Sequence, residues 1–304
     1  MKVLVTGGAG FIGSHIVDLL VEKGHTVTAL DDLSSGRREN VNPKAKFVKM
    51  DVNDPKLAEL FTGERFDWVD HHAAQISVVV STREPLADAR VNIIGTLNVL
   101  EQSRKNGIKK FVFASSGGTI YGEVPLGAAD EGTVFVPVSP YAVAKAAIEY
   151  YLNFYFHEYR LPFISLRYAN IYGPRQDPFG EAGVVAIFTR AMLDGKTPTI
   201  FGDGKCARDF VFCKDVARAN LMALETDKTG PYNIATGTAT DVNRLYELLS
   251  AETGFKKPAK RGPARPGDLR RSILSPEKIG RELGWHASVK LSEGLKQTVE
   301  FFKK

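Results

Sequence analysis

Tyr141 and Lys145 form the part of the sequence best suited to acid–base chemistry. Ser139 is a favourable N-cap and Pro140 suits the first helical position, so a helix is predicted to begin directly before Tyr141. A spacing of four residues then places the phenol and the ammonium on one helix face, one turn apart. A nearby ammonium and a helix N-terminus both favour a phenolate, whose parent phenol has a pKa of about 10. The pair therefore indicates an acid–base catalyst whose phenol pKa is lowered toward neutral pH. Because the spacing is common, the alternative is an ordinary surface turn of a helix.

Two serines are candidates for the same reaction. Ser115 and Ser116 follow the apolar run Phe111–Ala114, which is typical of a buried strand. In an open α/β sheet, ligands bind beyond the carboxyl ends of the strands. A hydroxyl placed there can hydrogen-bond a substrate hydroxyl and pass its proton toward a tyrosine. The alternative is a simple serine–glycine turn, since Gly117 and Gly118 follow.

The N-terminus has the pattern of a dinucleotide-binding turn. Val3–Val5 predicts a strand buried on both faces, and a helix is predicted from Ser14 onward. Between them, Gly7 permits a tight turn, Gly10 allows close approach of a ligand, and Gly13 allows helix and strand to pack closely. The N–H groups and dipole at the helix start then favour a pyrophosphate.

Asp31 is the expected partner of the cofactor ribose. It ends a second apolar run, Val27–Leu30, and lies about 20 residues past the glycines, where a ribose 2′-hydroxyl needs an acceptor. A carboxylate repels a 2′-phosphate, so NAD is favoured over NADP. Arg37 and Arg38 leave an alternative open, because they either hold a phosphate or are solvated loop charges, and the second is favoured. The alternative role for Asp31 itself is to cap a loop.

Alternating apolar strands and helices indicate an α/β fold with a Rossmann-type, doubly wound parallel sheet. Further strands are predicted at Lys46–Lys49, Trp68–His71, Lys110–Ala114 and Phe163–Arg167, and helices at Pro55–Phe61, Ala87–Asn106 and Pro140–Arg160. An NAD-binding domain at 1–168 is therefore expected. Glycine and proline are frequent afterwards, which predicts a smaller C-terminal substrate-binding α/β domain at 169–304. Its helices are predicted at Val184–Leu193, Cys213–Thr226, Asp241–Thr253 and Ser292–Phe302, and a strand near 231–236 is predicted to return to the main sheet.

Composition narrows the class of protein. The chain has 304 residues, of which 43% are hydrophobic and 25% charged, as in ordinary soluble proteins. Its net charge of +5 is spread out, which favours a solvated surface or anionic small-molecule ligands over nucleic acid. With neither a long apolar run nor a signal peptide, we expect a cytoplasmic protein without membrane association. Cys206 and Cys213 are interpreted as reduced packing residues, with a disulfide less favoured. His71 and His72 lack a third ligand at metal-site spacing, so no metal is expected.

Taken in this order, the motifs resemble the extended short-chain dehydrogenase/reductase superfamily, and within it the UDP-glucose 4-epimerases. The resemblance is carried by the glycine turn at 6–13, by Ser116 and by the Tyr141–Lys145 pair. Its more specific pieces are DDLSSG (31–36), HHAAQ (71–75), LRYANIYGPR (166–175), FGDG (201–204), RDF (208–210) and RPGDL (265–269).

The resemblance implies NAD-dependent interconversion of UDP-glucose and UDP-galactose through a 4-keto sugar. It implies that Tyr141 takes the sugar 4-OH proton with help from Ser116, that Lys145 bonds the nicotinamide ribose, and that two copies form a homodimer through helices 87–106 and 140–160. The cofactor residues it implies are Gly7, Gly10, Phe11, Ile12, Gly13, Asp31, Asp32, Leu33, Ser35, Gly36, Asp51, Val52, Ala73, Ala74, Gln75, Asn92, Ser115, Tyr141, Lys145 and Tyr168. The substrate residues it implies are Ser116, Tyr141, Asn170, Gly183, Val184, Val185, Phe201, Arg208, Arg265, Asp268 and Ser272.

Three positions depart from the family pattern. Ile76 stands where some members have a lysine on the cofactor phosphates, Asp32 replaces the usual asparagine, and His72 replaces an apolar residue. None of them belongs to the catalytic trio of Ser116, Tyr141 and Lys145.

The residues after Ser116 help to select among the reactions of this superfamily. Dehydratases need an Asp-Glu pair there and related decarboxylases a glutamate, whereas this chain has Gly117 and Gly118, so epimerisation is favoured. Ser272 is small at the position that gates the sugar pocket, which predicts some activity on UDP-N-acetylhexosamines. Two alternatives are 4-epimerisation of N-acetyl or uronate sugars as the main reaction, and a non-enzymatic nucleotide-sensing protein. For Arg208, the alternative to a role in substrate binding is a local ion pair with Asp209.

Overall fold

The computed structural model describes residues 1–124, 127–179, 183–265 and 267–304. Its strands are β1 (Lys2–Thr6), β2 (Thr26–Asp31), β3 (Lys46–Lys49), β4 (Trp68–His71), β5 (Lys110–Ser115), β6 (Phe163–Tyr168), β7 (Asn170–Tyr172), β8 (Thr199–Phe201), β9 (Ala207–Arg208), β10 (Phe210–Phe212), β11 (Gly230–Ile234), β12 (Thr240–Asp241), β13 (Lys260–Gly262) and β14 (Arg271–Ser272).

Helices cover both faces of the main sheet and build the smaller part of the molecule. They are α1 (Phe11–Glu22), α2 (Leu57–Glu64), α3 (Val78–Arg83), α4 (Pro85–Ala89), α5 (Thr96–Lys105), α6 (Gly117–Ile120), α7 (Pro140–Tyr159), α8 (Val184–Leu193), α9 (Cys213–Glu225), α10 (Val242–Thr253), α11 (Glu277–Leu283) and α12 (Leu291–Phe302). A short 3₁₀ turn covers Arg38–Asn40, and a π-helical turn covers Arg90–Gly95. Among the described residues, no helix is both long enough and apolar enough to cross a membrane.

The main sheet has seven strands in the order β11-β6-β5-β4-β1-β2-β3, and every neighbouring pair is parallel. The strand expected near 231–236 is β11, which pairs with β6 at the edge of this sheet. The order reverses between β1 and β4, so their connections leave in opposite directions and open a crevice at the carboxyl ends. The predicted doubly wound parallel sheet is confirmed.

Apolar side chains form a core on each face of the sheet. On one face α1 and α9 pack on residues that include Val5, Val112 and Leu166, and on the other α2, α5 and α7 pack on Leu4, Val69 and Phe113. A separate core joins α8, α10 and α12 around Phe188 and Leu245. Three small sheets pair β10 with β7, β13 with β8, and β9 with both β12 and β14.

The predicted helix at 87–106 is confirmed as helical backbone that runs without a break from Pro85 to Lys105, but a π turn lies between α4 and α5. At the start of α5, the Thr96 hydroxyl donates to the carbonyl oxygen of Asn92 in this turn at 2.8 Å. The Asn92 amide points inward and donates to the Asp88 carboxylate and the Gln75 carbonyl oxygen, both at 2.9 Å. The widened turn thus gives Asn92 an inward position that a regular helix with the same apolar spacing need not provide.

Candidate active site

The glycine turn between β1 and α1 packs its backbone closely against the start of α1 and the end of β4. Gly7 has a φ of +67°, and a Cβ there would lie 2.7 Å from the His72 carbonyl carbon. A Cβ at Gly13 would meet the Gly7 carbonyl oxygen. α1 starts with Phe11 and Ile12 and has no side-chain cap, so the N–H groups of its first turn face the crevice edge without a capping acceptor. This cradle fits the pyrophosphate of a dinucleotide.

Asp31 lies at the carboxyl end of β2, next to this turn. Its Oδ2 accepts from the Ala9 N–H at 3.0 Å and its Oδ1 accepts from the Leu33 N–H at 2.8 Å. A Cβ at Gly36 would lie 2.6 Å from Oδ1, so the absence of a side chain there lets the loop wrap the carboxylate. Burial raises the pKa of Asp31, while these backbone donors counteract that rise. Each oxygen keeps acceptor capacity for a ribose hydroxyl.

The guanidinium groups of the two arginines after this loop contact other side chains. The Arg37 guanidinium lies 3.7 Å from the Asp177 carboxylate, and Arg38 lies over the Phe47 ring at 4.6 Å. Asp32 accepts from the Ser34 backbone and hydroxyl within its own turn. These contacts favour a cofactor without a 2′-phosphate.

Ser116, Tyr141 and Lys145 lie together at the carboxyl end of β5. Ser139 caps α7 by accepting from the Ala142 N–H at 3.2 Å, as predicted. The Lys145 ammonium donates to the Ala114 carbonyl oxygen at 2.8 Å and lies 5.7 Å from the centre of the Tyr141 ring. Tyr141 is hydrogen-bonded with Ser116.

The predicted lowering of the Tyr141 pKa is wrong for the protein alone. Burial raises the pKa of the phenol to about 12, although the Ser116 hydrogen bond works in the opposite direction. Burial also lowers the pKa of Lys145 to about 8. Sequence spacing places the ammonium on the same helix face as the phenol, but desolvation by burial is the largest influence on the pKa of each group.

Ser115 has a structural hydrogen bond rather than a free hydroxyl. It donates to Glu149 Oε1 at 2.6 Å, and the same carboxylate accepts from Arg167 Nη2 at 2.6 Å. The Arg167 guanidinium also donates to the Tyr121 hydroxyl at 2.7 Å. These buried contacts tie the serine-bearing end of β5 to α7 and β6, so Ser115 contributes to the crevice mainly through its backbone.

Gln75 and Asn92 face the crevice with their amide donors already used. Gln75 Nε2 donates to the Ser77 carbonyl oxygen at 3.0 Å and to Asp88 Oδ1 at 2.8 Å. Asn92 Nδ2 donates to Gln75 and Asp88, while Asn92 Oδ1 accepts from the Gln75 N–H at 3.0 Å. Because an amide has two N–H donors, these residues can offer a cofactor only acceptors or apolar contact.

His71 is a buried, neutral residue of β4 that links β1 to the start of α5. Its Nδ1 lies 2.7 Å from the Thr6 hydroxyl and its Nε2 lies 2.9 Å from the Thr96 hydroxyl. The Thr96 hydroxyl donates to the Asn92 carbonyl oxygen, so it accepts from His71 Nε2–H, and Nδ1 then accepts from Thr6. Burial lowers the pKa of His71 well below its ordinary value.

The polar ring of His72 is hydrogen-bonded to buried side chains. Its Nε2 lies 2.8 Å from Asp70 Oδ1 and 3.3 Å from Asn220 Oδ1. Asn220 Oδ1 also accepts from the Tyr168 hydroxyl at 2.9 Å, and the rings of His72 and Tyr168 are stacked with centres 6.1 Å apart. This departure from the family pattern therefore braces Tyr168 from behind the crevice.

The other predicted cofactor residues lie on the same edge of the sheet. They follow β2, β3 and β4, whose carboxyl ends are adjacent in the strand order. These residues are the exposed Ser35 and Asp51, the buried Val52, and the partly buried Ala73 and Ala74.

The predicted substrate residues lie next to the sheet edge that carries the predicted cofactor residues. β14 pairs with β9 so that Ser272 lies opposite Arg208, and the Ser272 hydroxyl lies 3.4 Å from the Gly118 carbonyl oxygen. The Arg265 guanidinium lies over the Phe201 ring at 3.8 Å. Contact with Gly118 brings this part of the chain next to the loop that carries Ser116.

Several members of the predicted substrate set take different local roles. Gly183 and Val184 form the start of α8, whereas the Val185 side chain is buried in the core beneath it. Asn170 begins β7, and Asp268 is exposed. Pro266, within the 265–269 motif, lies outside the described residues.

The alternative ion pair between Arg208 and Asp209 is wrong. The Asp209 carboxylate accepts from the Thr236 N–H at 2.9 Å and from the Gly237 N–H at 2.8 Å, and it is fully buried. The Arg208 guanidinium donates to the Ala207 carbonyl oxygen at 3.0 Å. The remaining Arg208 donors are therefore available to an anionic ligand.

Three buried charges near the crevice were missed by sequence reasoning. Glu149 and Arg167 form the ion pair beneath Ser115, and Asp88 holds the two amides. Glu149 carried one usable signal, because it lies one helical turn past Lys145 on the same face of an apolar helix. Arg167 and Asp88 carried none, since their burial depends on neighbouring elements.

Fold and site together define a class: a dinucleotide-dependent enzyme with a tyrosine–lysine pair at the carboxyl edge of a doubly wound sheet. The profile of the NAD dependent epimerase/dehydratase family matches residues 3–235. The chain belongs to this family.

Full-length comparisons lead to one subgroup. A UDP-glucose 4-epimerase of Mycolicibacterium smegmatis is 45% identical over 309 residues, covering 100% of this chain and 99% of the relative. The crystal structure of a Thermotoga maritima UDP-glucose 4-epimerase with UDP-glucose is similar with a TM-score of 0.98 and 51% identity, covering 100% and 99% of the two chains. The Thermus thermophilus UDP-glucose 4-epimerase in complex with NAD gives a TM-score of 0.95 and 46% identity, with coverage of 100% and 99%.

Proposed function

We propose that this protein is an NAD-dependent isomerase that interconverts UDP-glucose and UDP-galactose at C4. The observation that carries the proposal is the meeting of Ser116, Tyr141 and Lys145 at the sheet edge beside the glycine turn. The full-length similarity to UDP-glucose 4-epimerases, including structures with UDP-glucose and with NAD, supports the same activity.

NAD fits the cradle formed by Gly7, Gly10 and Gly13, with Asp31 positioned for its ribose. When bound, NAD supplies a reversible hydride acceptor for C4 and a positive charge near the catalytic phenol. Tyr141 takes the proton from the sugar 4-hydroxyl and returns it after the sugar has turned. Ser116 hydrogen-bonds the same oxygen and helps to relay that proton.

Residues 169–304 hold the UDP group in this proposal. Arg208 and Arg265 present guanidinium groups, which suit a diphosphate through paired hydrogen bonds. Phe201 supports the Arg265 plane at 3.8 Å and offers a flat apolar face. The role of Ser272 as a gate for N-acetyl sugars stays a prediction.

Residue 117 supports epimerisation over dehydration. A Cβ at Gly117 would meet the Leu274 side chain and would lie 3.2 Å from the Arg167 carbonyl oxygen. A carboxylate at this position would therefore require the surrounding packing to change. Because both 117 and 118 are glycines, neither position supplies an acid that could eliminate water after C4 oxidation.

The reaction predicts turnover without added cofactor. Because hydride leaves and returns in each cycle, purified protein that retains NAD converts UDP-galactose to UDP-glucose with no net NADH. Product formation is measured by chromatography, and the absorbance at 340 nm measures any net NADH. A Tyr141→Phe sample serves as the control for contaminating enzymes. No conversion, with or without added NAD, would contradict the proposed substrate.

We also propose a homodimer built on the exposed apolar face of α4, the π turn and α7, which pack against one another. Five large side chains carry this helical face: Leu86 at 86% exposure, Ile94 at 56%, Val143 at 48%, Tyr150 at 69% and Phe154 at 50%. Contiguous exposed apolar surface of this kind is unfavourable in a monomer. A cytoplasmic location is proposed as well, supported by the two free cysteines.

Charges on the helical face are expected to separate the dimer. For Tyr150→Lys with Phe154→Lys, light scattering after size exclusion should give about one chain mass, 33.3 kDa, against twice that for the unmodified protein. Phe179→Lys, at a residue 76% exposed outside this face, is the matched control and should remain dimeric. A monomeric unmodified protein would refute the proposal.

A further inference from the structure

Lys145 is a buried cation without a carboxylate in direct contact. It is 4% exposed, and its ammonium donates to the Ala114 carbonyl oxygen at 2.8 Å. The rings of Phe113 and Tyr141 lie 4.8 and 5.7 Å away. Among the described residues, no acid forms a salt bridge with it. A buried ammonium is costly unless a negative charge is near, so a carboxylate close to Lys145 is expected.

Two groups that neighbour Lys145 do not supply this negative charge. Glu149 is one turn further along α7, but its oxygens accept from Arg167 and Ser115, and its charge is neutralised by the guanidinium. His71 is held neutral by burial and cannot add negative charge. On α3, α4 and the π turn, the charged groups Arg83, Glu84 and Arg90 are exposed to solvent.

Asp88 is a buried carboxylate on α4, beside the helix that carries Lys145. It is 1% exposed on α4, which packs against α7. It lines a cavity of about 560 Å³ together with Ser139, Pro140 and Ala144, the residues that flank Tyr141 and Lys145 in the sequence. Gln75 and Asn92 both donate to its Oδ1, at 2.8 and 2.9 Å, and fix its position.

We propose that Asp88 is a positioning residue that supplies the buried counter-charge for Lys145 and, through Gln75 and Asn92, sets the wall of the cofactor crevice. The inference rests on the proposed function, because it assumes that Lys145 and Tyr141 act in catalysis. Asp88 touches neither cofactor nor substrate in this role; it acts through the catalytic pair and the two amides.

The negative charge of Asp88 shifts the pKa values of Lys145 and Tyr141 in the same direction. The Asp88 charge raises the pKa of Lys145 and also that of Tyr141, while burial is the larger effect on each. Removing the charge must therefore lower both pKa values. Loss of a purely structural residue would instead reduce activity equally at all pH values.

Asp88→Asn tests the charge with little change in shape. Both known hydrogen bonds end at Oδ1, and an asparagine oxygen can accept them in the same place. We expect both limbs of the pH profile of kcat/KM for UDP-galactose to move to lower pH by about one unit. Glu84→Gln, which removes an exposed charge from the start of the same helix, should leave the profile unchanged.

A binding measurement separates this inference from the proposed reaction. The affinity for NADH is measured by fluorescence as a function of pH. On the alkaline side, it should begin to fall at a lower pH in Asp88→Asn than in the unmodified protein. This expectation holds whether or not UDP-galactose is a substrate. Asp88→Glu keeps the charge and displaces it, so the limbs should stay near their original pH while NADH affinity falls. An unchanged pH dependence in Asp88→Asn, or a uniform loss at all pH values, would overturn the proposal.

Discussion

Replacing Tyr141 with phenylalanine is expected to reduce kcat for UDP-galactose by about a thousandfold, since positioned acid–base groups contribute about 10²- to 10⁴-fold. The substitution removes one oxygen and preserves the ring that packs 5.7 Å from the Lys145 ammonium. KM and bound NAD should change little, because the phenol acts on the proton of the sugar 4-hydroxyl. Initial rates and the NAD content of the purified variant measure this separation.

Tyr151→Phe is the matched control for this prediction. Tyr151 lies on the same helix, is 40% exposed and should tolerate loss of its hydroxyl. Full turnover by Tyr141→Phe would show that another group transfers the proton. Loss of NAD together with turnover would instead indicate a structural role for the phenol.

Replacing Glu149 with alanine should produce the largest loss of stability near the crevice. Its carboxylate accepts from Arg167 Nη2 at 2.6 Å and from Ser115 at 2.6 Å, with both charged side chains almost fully buried. Removing one member of a buried ion pair strands the other charge, and the expected cost is about 3–5 kcal/mol. The free energy of unfolding, from urea titration by circular dichroism, measures it.

The pair also predicts a non-additive double variant. The double variant Arg167→Met with Glu149→Ala should lose less free energy of unfolding than the sum of the losses in the two single variants. The reason is that no isolated buried charge remains in the double variant. Glu158→Ala, at an exposed residue of the same helix, is the control and should cost under about 0.5 kcal/mol. A Glu149→Ala protein of unchanged stability would show that the buried charge is compensated elsewhere.

Local sequence patterns were sufficient for the framework of this protein. The apolar run, three glycines and following helix at the N-terminus predicted the β1–α1 turn, and the run ending at Asp31 predicted β2. Ser139 and Pro140 predicted the start of α7. These features depend on steric and hydrogen-bonding preferences of neighbouring residues, which a short stretch of sequence contains.

Only the tertiary structure decided how the site is charged and braced. The phenol pKa of Tyr141 is raised rather than lowered, because burial by distant elements removes water from the group. The π turn places Asn92 inward, and Glu149 pairs with Arg167 from another strand. Burial and long-range hydrogen bonds arise from packing of segments far apart in the chain. The sequence by itself therefore predicted the candidate reacting groups, while the fold determined the direction of their pKa shifts and the residues that hold them.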